Sequence, residues 1–120
     1  MKALLPYCCL TILLLTGLVI CAPAVAEVNE SDRALAEQVF HQLLISVPPP
    51  SGMPWPPKLE IIDKDEINAF ATMRSQDGGQ YPVVVCYNGL LKQVVDGNSD
   101  RIAYVLGHEI SHHKIGRAHV

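Results

Sequence analysis

Six of the ten residues in "PPPSGMPWPP" (48–57) are proline, and this stretch divides the chain. Proline has no backbone N–H to donate and its ring fixes φ, so residues 48–57 form neither a helix nor a central strand. We expect a stiff surface connection here, with a helix before it and strands after it. Trp55 either anchors this connection to the body of the protein or is an exposed contact residue.

The segment before the prolines predicts an amphipathic helix over residues 29–47. Its apolar residues recur at the spacing of one helical face, and Ser31 precedes them as a candidate N-cap with Asp32 in the first turn. The residues predicted to face the core are Ala36, Val39, Phe40, Leu43 and Leu44.

The segment after the prolines predicts three strands and two helices. Alternating or β-branched apolar residues predict strands over 58–63, 67–73 and 81–87, with a turn at "RSQDGGQ" (74–80). A short helix with Asn88 as its cap is expected over 88–95. A long helix, capped by Ser99 or Asp100 and ended by Gly116, is expected over 101–115. These elements predict an α+β fold with an N-terminal helix and a small, mostly antiparallel sheet.

The first 26 residues have the pattern of an export signal. Lys2 precedes the apolar run 10–20, and Ala24 and Ala26 stand where an A-x-A cleavage site requires small residues. Cleavage after residue 26 predicts an exported, periplasmic protein. If the leader is not cleaved, residues 3–26 are long enough to anchor the protein in a membrane. The expected organisation is therefore 1–26 signal peptide, 27–57 helix and connection, and 58–120 the main domain.

The net charge and the cysteine content exclude some classes of function. The 120 residues amount to one domain or part of one, and the net charge of −3 without a basic patch argues against nucleic-acid binding. Three of the four cysteines lie in the leader, so no internal disulfide is expected after its removal. The fourth, Cys86, lies in "PVVVCYN" and is expected to be a small buried residue rather than a nucleophile.

The long helix carries "HEISH" (108–112), which indicates a zinc site. Residues four apart lie one turn above each other on a helix, so His108 and His112 present two imidazoles that can share one zinc ion. Glu109 is rotated about 100° from His108 and can reach a water bound to the metal. This is the arrangement in which a glutamate, acting as general base, assists attack of zinc-bound water on a carbonyl.

The other three histidines are weaker candidates. His113 points about 100° away from His112 and is expected to be solvated or to support the site indirectly. His41 is expected on the surface of the first helix. An extended H-E-x-x-H-x-x-G-x-x-H pattern would require histidine at position 118, whereas the chain has Ala118 there and His119 one residue later. The sequence therefore disfavours His119 as a third ligand.

Several motifs occur together in an order that resembles one family. "NAFAT" (68–72), a strand leading to "YNGLL" (87–91), and "RIAYVLGHEISHH" (101–113) resemble the HtpX and CAAX-prenyl-protease-like zinc metallopeptidases, which are gluzincins. The similarity covers residues 58–116. It implies a zincin-like fold, a polypeptide substrate, one zinc ion, His108 and His112 as ligands and Glu109 as the catalytic base.

The resemblance also implies roles outside the "HEISH" motif. Gly107 matches a small residue that lets the active-site helix pack closely. The strand 81–87 matches the sheet edge along which an extended substrate lies, with Val83, Val84 and Val85 as substrate-binding residues, although Pro82 removes one backbone donor there.

The third zinc ligand of gluzincins is a glutamate on a later helix, and residues 113–120 contain no match to it. We therefore expect this chain to hold the N-terminal part of a longer peptidase, an incomplete domain. Two functions remain open: a zinc endopeptidase of the periplasm or its membrane surface, or a non-catalytic, chaperone-like domain that keeps the fold and binds extended polypeptide.

Overall fold

The structure is a computed structural model that describes residues 28–115. Its elements, in chain order, are α1 (Glu30–Ile45), β1 (Lys58–Ile62), β2 (Ala69–Gln76), β3 (Gly79–Tyr87), α2 and α3 (Ser99–Lys114). Helix α2 starts as an α-helix at Asn88–Leu90 and continues as a π-helix at Leu91–Val95. This architecture confirms the predicted α+β class.

The predicted leader, Gly116 and His119 lie outside the described residues. Within residues 28–115, no helix combines the length and the hydropathy needed to cross a bilayer.

The three strands form a mixed sheet in the order β1-β3-β2. β1 runs parallel to β3, from Lys58 beside Val83 to Ile62 beside Tyr87. β2 runs antiparallel to β3 along its whole length. The sheet is therefore mixed rather than mostly antiparallel, because β3 inserts between β1 and β2 instead of adding to the outside of a meander.

This strand order forces the connection between β1 and β2 to cross the end of β3. The backbone N–H of Gly89, just after β3, donates to the carbonyl of Lys64 in that connection at 2.9 Å. A Cβ at position 89 would lie 2.5 Å from the carbonyl oxygen of Glu66. The glycine of "YNGLL" is therefore required by a close approach of two backbone segments.

The hairpin between β2 and β3 is tighter than the predicted turn over 74–80. Only Asp77 and Gly78 form the loop, and their φ angles of 51° and 78° are both positive. A two-residue turn with positive φ at both positions matches the twist of the flanking strands. The strands therefore continue through residues that the composition alone assigns to the turn.

Helix caps come from asparagine residues rather than from the predicted ones. The Asn29 side chain, not that of Ser31, caps α1 by accepting from the Ser31 N–H at 2.8 Å. Asn98 caps α3 by accepting from the N–H groups of the second and third helical residues at 2.9 and 3.2 Å. The predicted cap Asn88 is instead buried, and its amide donates to the Asp63 carboxylate at 3.1 Å, which fastens the β1–β2 connection.

The core lies between the sheet and the helices. Ala36, Val39 and Phe40 of α1 are buried as predicted, and Leu43 and Leu44 pack half-buried at the margin. They meet Val84 and Cys86 of β3 and the buried residues Ile102, Leu106 and Ile110 of α3. Trp55 also packs against this cluster, so it anchors the proline-rich connection to the body.

The opposite face of the sheet is covered by long polar and aromatic side chains. Arg74 on β2 donates to both carboxylate oxygens of Glu60 on β1, at 3.2 and 3.3 Å. This hydrogen-bonded ion pair raises the pKa of Arg74. The pair reaches across β3, and Lys58 lies 4.3 Å from the ring centre of Tyr81 beside it. Such side chains cover apolar surface with their stems and keep their charges in water, so Val83 and Val85 are fully buried.

Candidate metal centre

Helix α3 divides into a buried face and a face that carries the predicted ligands. Ile102, Leu106 and Ile110 recur every four residues and are at most 2% exposed, so they fix the helix against the core. His108 is rotated away from this stripe, and its side chain is 52% exposed. His112, one turn later, is half-buried. The sequence therefore places both imidazoles at the edge of the core, where an ion from solvent can reach them.

The three predicted site residues come together as the "HEISH" spacing requires. The Nε2 atoms of His108 and His112 lie 3.1 Å apart. The Oε1 atom of Glu109 lies 4.0 Å from Nε2 of His108. One potential ligand atom from each of the three residues falls within 4.8 Å of the others. Among residues 28–115, this is the only group of three or more histidine, cysteine or acidic side chains that converges in this way.

The distance between the two imidazole nitrogens fits a shared zinc ion. Zinc–nitrogen bonds are about 2.0–2.1 Å long, so two nitrogens 3.1 Å apart subtend an angle of about 100° at one ion. That angle is close to the tetrahedral value zinc prefers. The same separation also suits a hydrogen bond between the rings when one Nε2 carries a proton. The donor set therefore fits zinc once both facing nitrogens are deprotonated.

Glu109 occupies a different environment from the two histidines. Its side chain is only 5% exposed, on the inner side of α3. Charged side chains are rarely buried to this degree unless they have polar partners or act on a bound group. A gap of 4.0 Å to the His108 nitrogen leaves Glu109 beside the expected ion and within hydrogen-bond reach of a water there.

The other two described histidines and the cysteine lie in different environments. His113 is buried rather than solvated, and its Nε2 lies 2.8 Å from the carbonyl oxygen of Val83. His41 is exposed on α1. Cys86 is buried in β3, and this burial raises the pKa of its thiol to about 12. Cys86 is therefore the inert small residue that the sequence predicted.

The predicted substrate edge is wrong. Val83, Val84 and Val85 lie in the central strand, are paired with β1 on one side and β2 on the other, and are fully buried. They have no free edge for a peptide to join. In the described part of the chain the edge strand next to α3 is β2, which packs against that helix. Because the strand order is β1-β3-β2, the edge strand is β2 and not β3. The sequence pattern of the strands does not reveal this order.

The close packing expected at Gly107 is not found within residues 28–115. A Cβ at this position would meet no atom within 4 Å. His113, in contrast, is buried rather than solvated, and its position in the sequence carries a signal for that burial. It continues the buried stripe of Ile102, Leu106 and Ile110 at helical spacing, and that periodicity places it on the inner face of α3.

Comparison with known proteins identifies the family of the chain. The family model of peptidase family M48 matches residues 31–119. The matched range includes α1 apart from its first residue, the whole sheet and the three site residues. No curated protein and no solved structure matches the chain. Since the family match covers most of its length, the chain belongs to peptidase family M48, whose members are zinc metallopeptidases.

Proposed function

We propose that the protein is a zinc-dependent endopeptidase in which His108 and His112 bind the metal and Glu109 is the general base. The observation that carries this proposal is the convergence of one potential ligand atom from each of the three residues within 4.8 Å on a single helix. Membership of peptidase family M48 supports peptide-bond hydrolysis as the reaction.

In this proposal the zinc ion and the protein have different roles in hydrolysis. His108 and His112 would hold the zinc ion, whose Lewis acidity would lower the pKa of a water molecule towards neutrality. Glu109, on the protein's side, would act as the general base: its carboxylate would take a proton from the water whose oxygen attacks the scissile carbonyl carbon. Glu109 would then deliver the proton to the amide nitrogen as the C–N bond breaks. The buried position of its carboxylate beside His108 supports this role.

An extended polypeptide is the substrate that the sheet supports best. β2 packs against α3 and has a strand partner only on its β3 side within the described residues. Its outer backbone groups can pair with a peptide strand, so the substrate is held in an extended form beside the metal ligands. Recognition through backbone groups fixes the substrate's conformation and depends little on its sequence.

The experiment compares the full-length wild-type gene product with the Glu109→Gln variant, which has nearly the same size and no basic carboxylate. Zinc content is measured by elemental analysis, and hydrolysis is followed with a fluorescently labelled, unfolded protein. We expect about one zinc ion per chain in both proteins and hydrolysis only in the wild type. Zinc binding with substrate capture but no hydrolysis would support the non-catalytic alternative, and absence of zinc from the wild type would overturn the proposal.

The cellular location remains the one predicted from the leader. We propose export to the periplasm, with Ala26 as the last residue removed. Sequencing the N-terminus of the mature protein tests this, because a chain that begins at Glu27 has been cleaved there and a chain that keeps residues 1–26 has not.

A further inference from the structure

His113 makes a directed bond from the metal-binding helix to the sheet. Its Nε2 lies 2.8 Å from the carbonyl oxygen of Val83, a residue 30 positions away in the sequence. Because a carbonyl can only accept, Nε2 of His113 carries the proton and donates. His113 is 2% exposed, so water does not compete for this bond.

The acceptor, the carbonyl oxygen of Val83, is held in place by the sheet. Val83 lies in the central strand, beside Lys58 of β1 and Thr72 of β2. The apolar contacts of α3 also hold the helix against the core, but the hydrophobic effect behind them does not depend on direction. A hydrogen bond between a ring nitrogen and a fixed carbonyl depends on both distance and angle, and therefore restricts rotation.

The hydrogen bond from His113 holds the last turn of α3, which is the part of the helix most prone to fray. α3 ends at Lys114, so His112 and His113 both lie in its last turn. The last carbonyl groups of a helix have no partners within the helix, and terminal turns fray for this reason. Fraying of this turn would move His112 away from His108, which lies one turn further inside.

We propose that His113 is a positioning residue for the metal centre. Its bond to Val83 holds the last turn of α3, and with it the imidazole of His112, at the distance from His108 that one zinc ion requires. The inference rests on the proposed function in one respect, since it takes His108 and His112 to be zinc ligands.

The test measures zinc affinity and helix opening separately in the full-length protein. His113→Phe keeps a ring of similar size but removes the donor, whereas His113→Gln keeps an N–H donor on a side chain of similar reach. His41→Phe is the matched control, because His41 is exposed on α1. Zinc dissociation constants come from competition with a chromophoric chelator, for variants whose far-ultraviolet circular dichroism matches the wild type.

We expect His113→Phe to weaken zinc binding by about tenfold or more, the scale seen when a residue that orients a ligand is lost. His113→Gln should stay within about threefold of the wild type, and His41→Phe should be unchanged. In the zinc-free His113→Phe protein, backbone amides of residues 111–114 should exchange with solvent faster. If His113→Phe does not fold, His113→Met replaces it as the variant without a donor.

Two results would overturn the inference. The first is a folded His113→Phe or His113→Met protein that binds zinc as tightly as the wild type. The hydrogen bond to Val83 would then contribute to folding but not to zinc binding. A His113→Gln protein as impaired as the donor-free variant would show that the donor is irrelevant. A wild-type protein that binds no zinc would instead reject the proposed function itself, and the inference with it.

Discussion

The Nε2 atoms of His108 and His112 lie 3.1 Å apart, one helical turn from each other on α3. Neither histidine belongs to the packed core, so the fold does not depend on their side chains. Replacing either histidine by alanine should therefore leave the fold intact and remove zinc binding. We expect a loss larger than the roughly 10–100-fold effect of losing a residue that only orients a ligand.

Elemental analysis after dialysis checks this, together with thermal unfolding in the presence of a chelator. The control is His41→Ala, since His41 is equally a helical histidine but lies on α1. A zinc content unchanged in both His108→Ala and His112→Ala would assign the metal to other residues.

Glu109→Gln should separate metal binding from catalysis. The amide fills nearly the same buried space but cannot accept a proton, so zinc content is expected to stay at the wild-type level. The rate of peptide hydrolysis should fall by about 10²–10⁴-fold, the usual contribution of a positioned general base. Steady-state kinetics on a quenched fluorescent peptide measure the effect, and a variant that keeps wild-type kcat would exclude Glu109 as the base.

The geometry of this site could be predicted from the sequence because its three residues lie on one helix. The distance between His108 and His112 depends only on helical periodicity, and so does the position of Glu109 next to them. The buried face of α1 followed from the same periodicity. These features involve residues at most a few turns apart, and each was found where the pattern placed it.

The strand order could not be predicted in this way. β3 reads as a strand in any arrangement, and nothing in "YPVVVCY" shows that partners lie on both of its sides. That order depends on the long-range pairing of residues 58–62 with 83–87, so the assignment of Val83, Val84 and Val85 to a substrate edge failed. The helix caps were misplaced by one or two residues because several polar residues stand before each helix and only the geometry selects among them.

Alanine substitutions at Gly89 and Gly107 should change the free energy of unfolding in opposite directions. A Cβ at position 89 would lie 2.5 Å from the Glu66 carbonyl oxygen and 2.7 Å from the Asp65 carbonyl carbon, both of them backbone atoms. The crossing connection must move to admit it, so Gly89→Ala should lower the free energy of unfolding by about 1–3 kcal/mol.

Gly107→Ala serves as the matched control within the same protein. Position 107 lies inside α3 and has open space around its Cβ direction, so alanine should raise the free energy of unfolding by about 0.5–1 kcal/mol through its better helix propensity. Urea unfolding of the two variants gives both values. A neutral Gly89→Ala protein would contradict the close approach of the β1–β2 connection to α2.

The Cys86 thiol should resist chemical modification in the folded protein. Burial raises its pKa from 9.0 to about 12. At pH 8 a far smaller fraction of this thiol is ionised than of an exposed thiol, and only the thiolate reacts. Alkylation with iodoacetamide, read for the Cys86 peptide by mass spectrometry, should therefore be slow in buffer and fast in denaturant.

The same burial gives the stability a dependence on alkaline pH. Above pH 9 the unfolded chain loses the thiol proton while the folded protein keeps it, so the unfolded state is favoured increasingly as the pH rises towards 12. A Cys86→Val variant has no ionisable group at this position, and its free energy of unfolding should fall less steeply over that range. Rapid alkylation of Cys86 in the folded wild type, or identical alkaline slopes for the two proteins, would contradict the placement of this thiol in the core.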